Sequence, residues 1–176
     1  MALAAFSPSV IVFREEQNFD WWVYAFIAFT DAVIWGTLYC LGSAGAPPGT
    51  ERGLSPEMAL ALFLGLILPV LLVVALLRMT TEVDHDHLRV WFGWIPTYRR
   101  TFSIGSIKKV EVVDYRPIAD YGGWGIRVGR DGVRVLNARG NRGVRLELAD
   151  GSKLLIGSQV PEQLARAIDQ AMHPGT

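Results

Sequence analysis

Four consecutive residues, Asp84-His85-Asp86-His87, form the most ligand-like string in this sequence. Carboxylates and imidazoles are the groups that hold first-row metals, usually as three or four convergent ligands. In a strand, alternate residues point to opposite faces, so the two histidines would share one face and the two aspartates the other. The sequence puts no cysteine and no third histidine nearby. The string therefore reads as the polar tip of a hairpin, and no metal ligand is assigned. Gly122-Gly123-Trp124-Gly125 has the composition of a phosphate-cradling loop, but such a loop opens a helix. Here Ile126-Arg127-Val128 follows and reads as strand, so a bulge or bend in a sheet is expected. Ser103, Ser106, Ser152 and Ser158 lie in no Gly-x-Ser-x-Gly pattern, and no histidine has a triad-like context. Neither a catalytic residue nor a cofactor is expected, and the chain does not read as an enzyme.

Asp31 is a different kind of signal. It lies about ten residues from either end of an apolar run, near the middle of a bilayer at about 1.5 Å per residue. A carboxylate at that depth costs a few kcal/mol. Three readings are open. The acid is protonated and bonded to a backbone carbonyl or to Thr30 or Thr37; it meets a polar group of another subunit; or it belongs to a proton or ion path, although no relay of ionisable groups follows it. In the same run Trp22, Phe26 and Phe29 recur at helical spacing and form one continuous aromatic face, and with Asp31 they are the candidate intramembrane contacts. A second candidate surface lies later in the chain. Arg99, Arg100, Lys108 and Lys109 are interleaved with Trp91 and Trp94, a pattern suited to anionic headgroups or a protein partner. The positive charge is neither clustered nor strong enough for nucleic acid.

The elements that must position these residues fall into two halves. Apolar residues concentrate before residue 80 and charges after it. Trp21–Leu41 and Met58–Met79 are each about 20 residues of apolar sequence, the length that crosses a roughly 30 Å hydrocarbon core. Aromatic residues mark both ends of the first, and Pro69 should kink the second. A Gly- and Pro-rich loop joins them, so they form an antiparallel hairpin spanning 20–79, preceded by a cytoplasmic tail, 1–19. No secretory signal is read in the tail. The lone cysteine, Cys40, sits in the first span as a packing residue. The loop carries one basic residue, Arg52, whereas Arg78, Arg89, Arg99 and Arg100 follow the second span. The positive-inside rule then places both termini and the soluble part in the cytoplasm.

After Met79 the period shortens. Thr80–Val83, Leu88–Phe92, Tyr98–Ile104, Ile107–Val113, Gly125–Val128, Val133–Leu136, Val144–Leu148 and Lys153–Ile156 are β-branched and aromatic runs. Arg130-Asp131-Gly132 and Asp150-Gly151 mark hairpins. Pro161 and Glu162 open a helix whose Leu164, Ile168 and Met172 form one apolar stripe. The expected fold over 80–176 is α+β, with about seven antiparallel strands in a barrel or sandwich capped by the C-terminal helix.

Four stretches carry a resemblance: FREEQ (Phe13–Gln17), YGGWGIR (Tyr121–Arg127), GNRGVRLELADG (Gly140–Gly151) and IGSQVPEQLARAI (Ile156–Ile168). With them the chain resembles an uncharacterised family of bacterial two-span membrane proteins with a pleckstrin-homology-like (PH-like) domain. The resemblance implies a bacterial cytoplasmic membrane and a β-barrel plugged by the C-terminal helix. Two functions compete. One is a non-enzymatic membrane scaffold whose PH-like domain binds a partner protein or anionic headgroups. The other is an accessory subunit of a larger bioenergetic (photosynthetic or respiratory) or transport complex, packed through the first span. Expected partners are membrane lipids and protein in the membrane, as a homo-oligomer or larger complex.

Overall fold

The computed structural model describes residues 11–44, 55–94, 96 and 98–174. Among them the chain runs β1 (Ile11–Asn18), α1 (Trp21–Ala44), α2 (Pro56–Leu76), β2 (Arg78–Asp84), β3 (His87–Phe92), β4 (Tyr98–Ser103), β5 (Ile107–Asp114), α3 (Pro117–Tyr121), β6 (Gly125–Val128), β7 (Arg134–Asn137), β8 (Arg142–Leu148), β9 (Lys153–Gly157) and α4 (Pro161–Met172). Two compact units result. One is Phe19–Leu76, and the other combines the chain on either side of it. The first ten residues of the expected tail and most of the expected inter-helix loop lie outside the described residues.

The helical unit is long and apolar enough to cross a membrane twice. Its candidate spans are Trp21–Cys40 and Glu57–Leu76, and neither is buried within the chain. Ser55 caps α2, its hydroxyl accepting the Met58 N–H at 3.2 Å, with Pro56 at the first helical position and Glu57 in the first turn. The assigned helix runs without a break through Pro69. Gly65 lets the helices approach: a Cβ there would fall on the indole of Trp35.

In the second unit every apolar run after Met79 forms a strand, but three expectations are corrected. The segment before the first span is not wholly a tail. Ile11–Asn18 pairs antiparallel with β2, placing Arg14 opposite Glu82, Gln17 opposite Met79 and Asn18 opposite Arg78. The helices are therefore an insertion in a β1–β2 pair, and β2 begins at Arg78, inside the stretch read as the end of the second span. The sheets are also open. Among the described residues eight strands, rather than about seven, follow the helices, and with β1 they form a sheet ordered β1-β2-β3-β4 and another ordered β5-β8-β9-β7-β6. No ladder joins their edges among the described residues, as barrel closure would need. Third, pairing is not uniformly antiparallel: Arg134, Val135 and Leu136 pair in parallel with Leu154, Leu155 and Ile156, because β8 returns on the far side of β9.

Helix α4 packs against β1 and β2 of one sheet and β5 and β8 of the other. Its Leu164 and Ile168 are fully buried, and Ala167 and Ala171 join them. Met172, expected in that stripe, is only half-buried. Leu88, Val90, Val144, Leu146 and Ile156 complete the apolar interior.

Candidate functional site

On strand β3, Leu88, Val90 and Phe92 turn inward and His87, Arg89 and Trp91 outward. The register then assembles a charged outer face. Trp91 lies opposite Thr80 on β2 and Arg99 on β4. The Arg14 and Arg99 guanidinium carbons sit 5.9 and 5.8 Å from its ring centroid, within cation–π range. Arg14 also pairs with Glu82 and Glu16 at 2.7 Å, and Glu16 pairs with Arg78. Arg99 has no carboxylate partner among the described residues.

The predicted headgroup set divides. Trp91 and Arg99 are brought together. Arg100 is one residue along β4 and sits over Tyr98, its Nε donating to the phenol oxygen at 3.0 Å. Trp94 occupies the β3–β4 turn and is 76% exposed. Lys108 and Lys109 lie on β5 in the other sheet, and Lys109 pairs with Glu111. On α1, Trp22, Phe26 and Phe29 are all exposed. Asp31 is half-buried, and its Oδ2 has no hydrogen-bond partner among the described residues. Thr30 and Thr37 do not serve it, because their hydroxyls donate to the Phe26 and Val33 carbonyls of their own helix.

The ligand-like string resolves into a turn. Asp84 ends β2 and His87 begins β3, so strand alternation does not apply across it. Asp84 Oδ1 accepts the Asp86 and His87 N–H groups at 2.8 and 2.6 Å, an Asx turn, and Oδ2 faces Arg89 at 2.7 Å. Asp84, Asp86 and His87 have ligand atoms close enough to share an ion. Asp84 is nevertheless committed to the turn and to Arg89, and the other two are peripheral. Burial pushes the Asp84 carboxyl up; the two N–H groups, Arg89 and His87 outweigh burial and hold it below the usual carboxylate range. The expected bulge at Gly122-Gly123 is also different. Gly122, at φ 75°, ends α3, donating its N–H to Ile118 O, while the Gly123 N–H reaches Pro117 O.

The four sequence stretches that stood out meet in one hydrogen-bonded cluster, buried at Gln17, Tyr115, Asn137, Gly157 and Ser158. Asn137, fully buried, donates to the Tyr115 hydroxyl at 3.1 Å and accepts the Gly125 N–H at 3.0 Å. The Trp124 indole donates to Gly140 O. A Cβ on Gly157 would meet Asn137 and the Tyr115 oxygen, so only glycine fits beneath them. The Gly157 carbonyl accepts Gln17 Nε2 at 2.9 Å. Glu15 then receives the Ser158 hydroxyl at 2.6 Å and the Gln159 N–H at 2.7 Å. This cluster ties the strand leading into α1 to the junction leading into α4. Burial pushes the Tyr115 hydroxyl up from its ordinary value. Most of the cluster's polar groups are used in these internal bonds, although Gln17 Oε1 has no partner among the described residues, and the arrangement suits a structural keystone. Comparison with protein-family models, with curated proteins and with solved structures finds no match to this chain.

Proposed function

We propose that this chain is a non-enzymatic, membrane-anchored interaction protein. Its hairpin tethers a PH-like sheet domain to the cytoplasmic face of a bacterial membrane, where the domain engages a partner protein or anionic headgroups. One observation carries the reading. Strands β1 and β2 pair with each other on either side of the helical insertion, so Phe19 and Asp20 alone lead into α1, and Leu77 alone leads out of α2. A domain rooted at both ends by such short links has no reach away from the bilayer. Its partners are therefore at the membrane surface. The basic residues that follow the second span supply the orientation, and Trp91 with Arg99 supplies a contact surface.

A second reading, an accessory subunit of a larger bioenergetic or transport complex, is favoured by Asp31. Its partnerless oxygen lies on the helix that also exposes Phe26 and Phe29, and an intramembrane acid is stabilised by a donor on another helix. Gentle detergent extraction with native mass measurement separates the two. Co-purifying chains lost in Asp31→Leu assign the subunit role. Chains retained there but lost in Arg99→Glu/Arg100→Glu assign contact through the sheet. A protein found alone, whose full chain shows no preference for anionic lipid, contradicts both.

A further inference from the structure

The register of the β1-β2-β3-β4 sheet fixes what lies at each of its ends. At one end Asn18 pairs with Arg78, and these are the residues through which the chain leaves for the helices and returns. Phe92 pairs with Met79 on one side and Tyr98 on the other, and the Gly93 N–H donates to Arg78 O at 2.7 Å. The β3–β4 turn is thereby held beside the two points of passage. It carries Trp94, at 76% the most exposed large apolar side chain among the described residues of the sheet unit. Arg99 and Arg100 follow directly, exposed and without a carboxylate partner among the described residues. The opposite end carries the Asp84–His87 turn, with Asp86 exposed. One end is thus aromatic and basic, and the other a polar Asp/His turn without an exposed large apolar side chain among the described residues.

We propose that the β3–β4 turn seats in the anionic headgroup layer of the bilayer that holds α1 and α2. Trp94 takes the interfacial position that indole favours, apolar ring in the acyl boundary and N–H towards water. Arg99 and Arg100 reach lipid phosphates, each adding to affinity for an anionic leaflet. The Gly93–Arg78 hydrogen bond ties the turn to the strand end at which the chain returns from α2. The proposal rests on the reading of α1 and α2 as membrane spans, and it fixes which end of the domain is wet.

The test uses the full chain with Cys40→Ser, reconstituted in vesicles of phosphatidylcholine and phosphatidylglycerol. Single cysteines at Trp94→Cys, Asp86→Cys and Phe26→Cys carry an environment-sensitive fluorophore. Strand β2 is about 20 Å long at about 3.3 Å per residue, so a label at 86 is out of reach of lipid-borne quenchers. The expected result is a blue-shifted label at 94 that loses most of its intensity to a headgroup-level lipid quencher. The label at 86 should respond only to aqueous iodide, and the label at 26 only to a deep acyl-chain quencher. Iodide quenching at 94 equal to that at 86 overturns the proposal while a deep label at 26 leaves the membrane reading standing. A label at 26 beyond reach of the deep quencher overturns that reading itself. A label at 94 shielded from lipid and iodide alike marks a contact between copies and also overturns the proposal. Hydrogen exchange of unlabelled 92–98 is the second readout: it should slow several-fold from zwitterionic to anionic vesicles, and unchanged exchange overturns the role of the arginines.

Discussion

Removing β1 should cost the sheet domain about 5 kcal/mol, although β1 lies before α1 and α2 in sequence. Two chains make the comparison. One joins 11–18 to 78–176 through Asn-Gly, a two-residue turn that suits antiparallel strands whose ends already pair at Asn18 and Arg78. The other begins at 78. The loss follows from named contacts. The half-buried Glu15 receives two charge-assisted hydrogen bonds, together about 3 kcal/mol after allowance for its exposure. The buried Gln17–Gly157 bond adds about 1 kcal/mol, and Arg14 on the nearly buried Glu82 about 1 kcal/mol. The β1 ladder itself is set near zero, because ordering the strand offsets it. The total is about 5 kcal/mol, against the roughly 5–15 kcal/mol that holds a typical domain together. At a urea m of about 1.2 kcal/mol/M this moves the midpoint by about 4 M. Far-UV circular dichroism in urea reads it. Equal midpoints for the two chains would refute the claim that β1 is integral to the sheet domain.

Other outcomes follow from single sites. Gly157→Ala, made in the fused chain, should lose about 2 kcal/mol by forcing a methyl into Asn137 and Tyr115; a change within error in the urea midpoint would show the cluster to be loosely packed. Asp84→Ala should cost about 3 kcal/mol, since it leaves Arg89 without its counter-ion and two turn N–H groups without an acceptor. The sign of its pH dependence is fixed. The folded carboxyl is held below its ordinary value of about 3.9, so its contribution is complete above that pH and is lost as pH falls through the folded value. The variant should therefore show a flatter acid limb in a stability–pH profile, and an unchanged limb counts against the Asx-turn and Arg89 account. In the helical unit, Gly65→Leu should lower the melting temperature in detergent by displacing Trp35, and Trp35→Ala should restore part of the loss. Absence of rescue would mean the two residues are not in contact.

The hairpin, the later strands and α4 were legible because each rests on a local pattern. Apolar length marks α1 and α2, β-branched runs bounded by Gly and Asp mark the strands, and i, i+4 spacing marks α4. What was hidden depends on partners distant in sequence. FREEQ reads as a tail because Phe13, Glu15 and Gln17 alternate one apolar residue with two polar ones. The partners of Glu15 and Gln17 are Ser158, Gln159 and Gly157, about 140 residues away, so no window could reveal the strand. The parallel β7–β9 pair was equally invisible, since direction is set by which side of β9 the chain returns on. For the candidate surface, Trp91 and Arg99 come together through strand register across the β3–β4 hairpin. Lys108 and Lys109 belong to the next sheet, a division that nearness in sequence conceals.

The central claim, that the helices are a membrane-spanning insertion rooting the sheet domain at one bilayer face, is tested most directly by sidedness. In the Cys40→Ser background, cysteines at Arg52 and at Asp131 are treated with a membrane-impermeant maleimide in sealed inside-out and right-side-out vesicles. The account predicts that Asp131→Cys reacts only when the cytoplasmic face is outward and Arg52→Cys only when it is inward. Labelling of both positions from the same face, or release of the protein by alkaline carbonate, would contradict it.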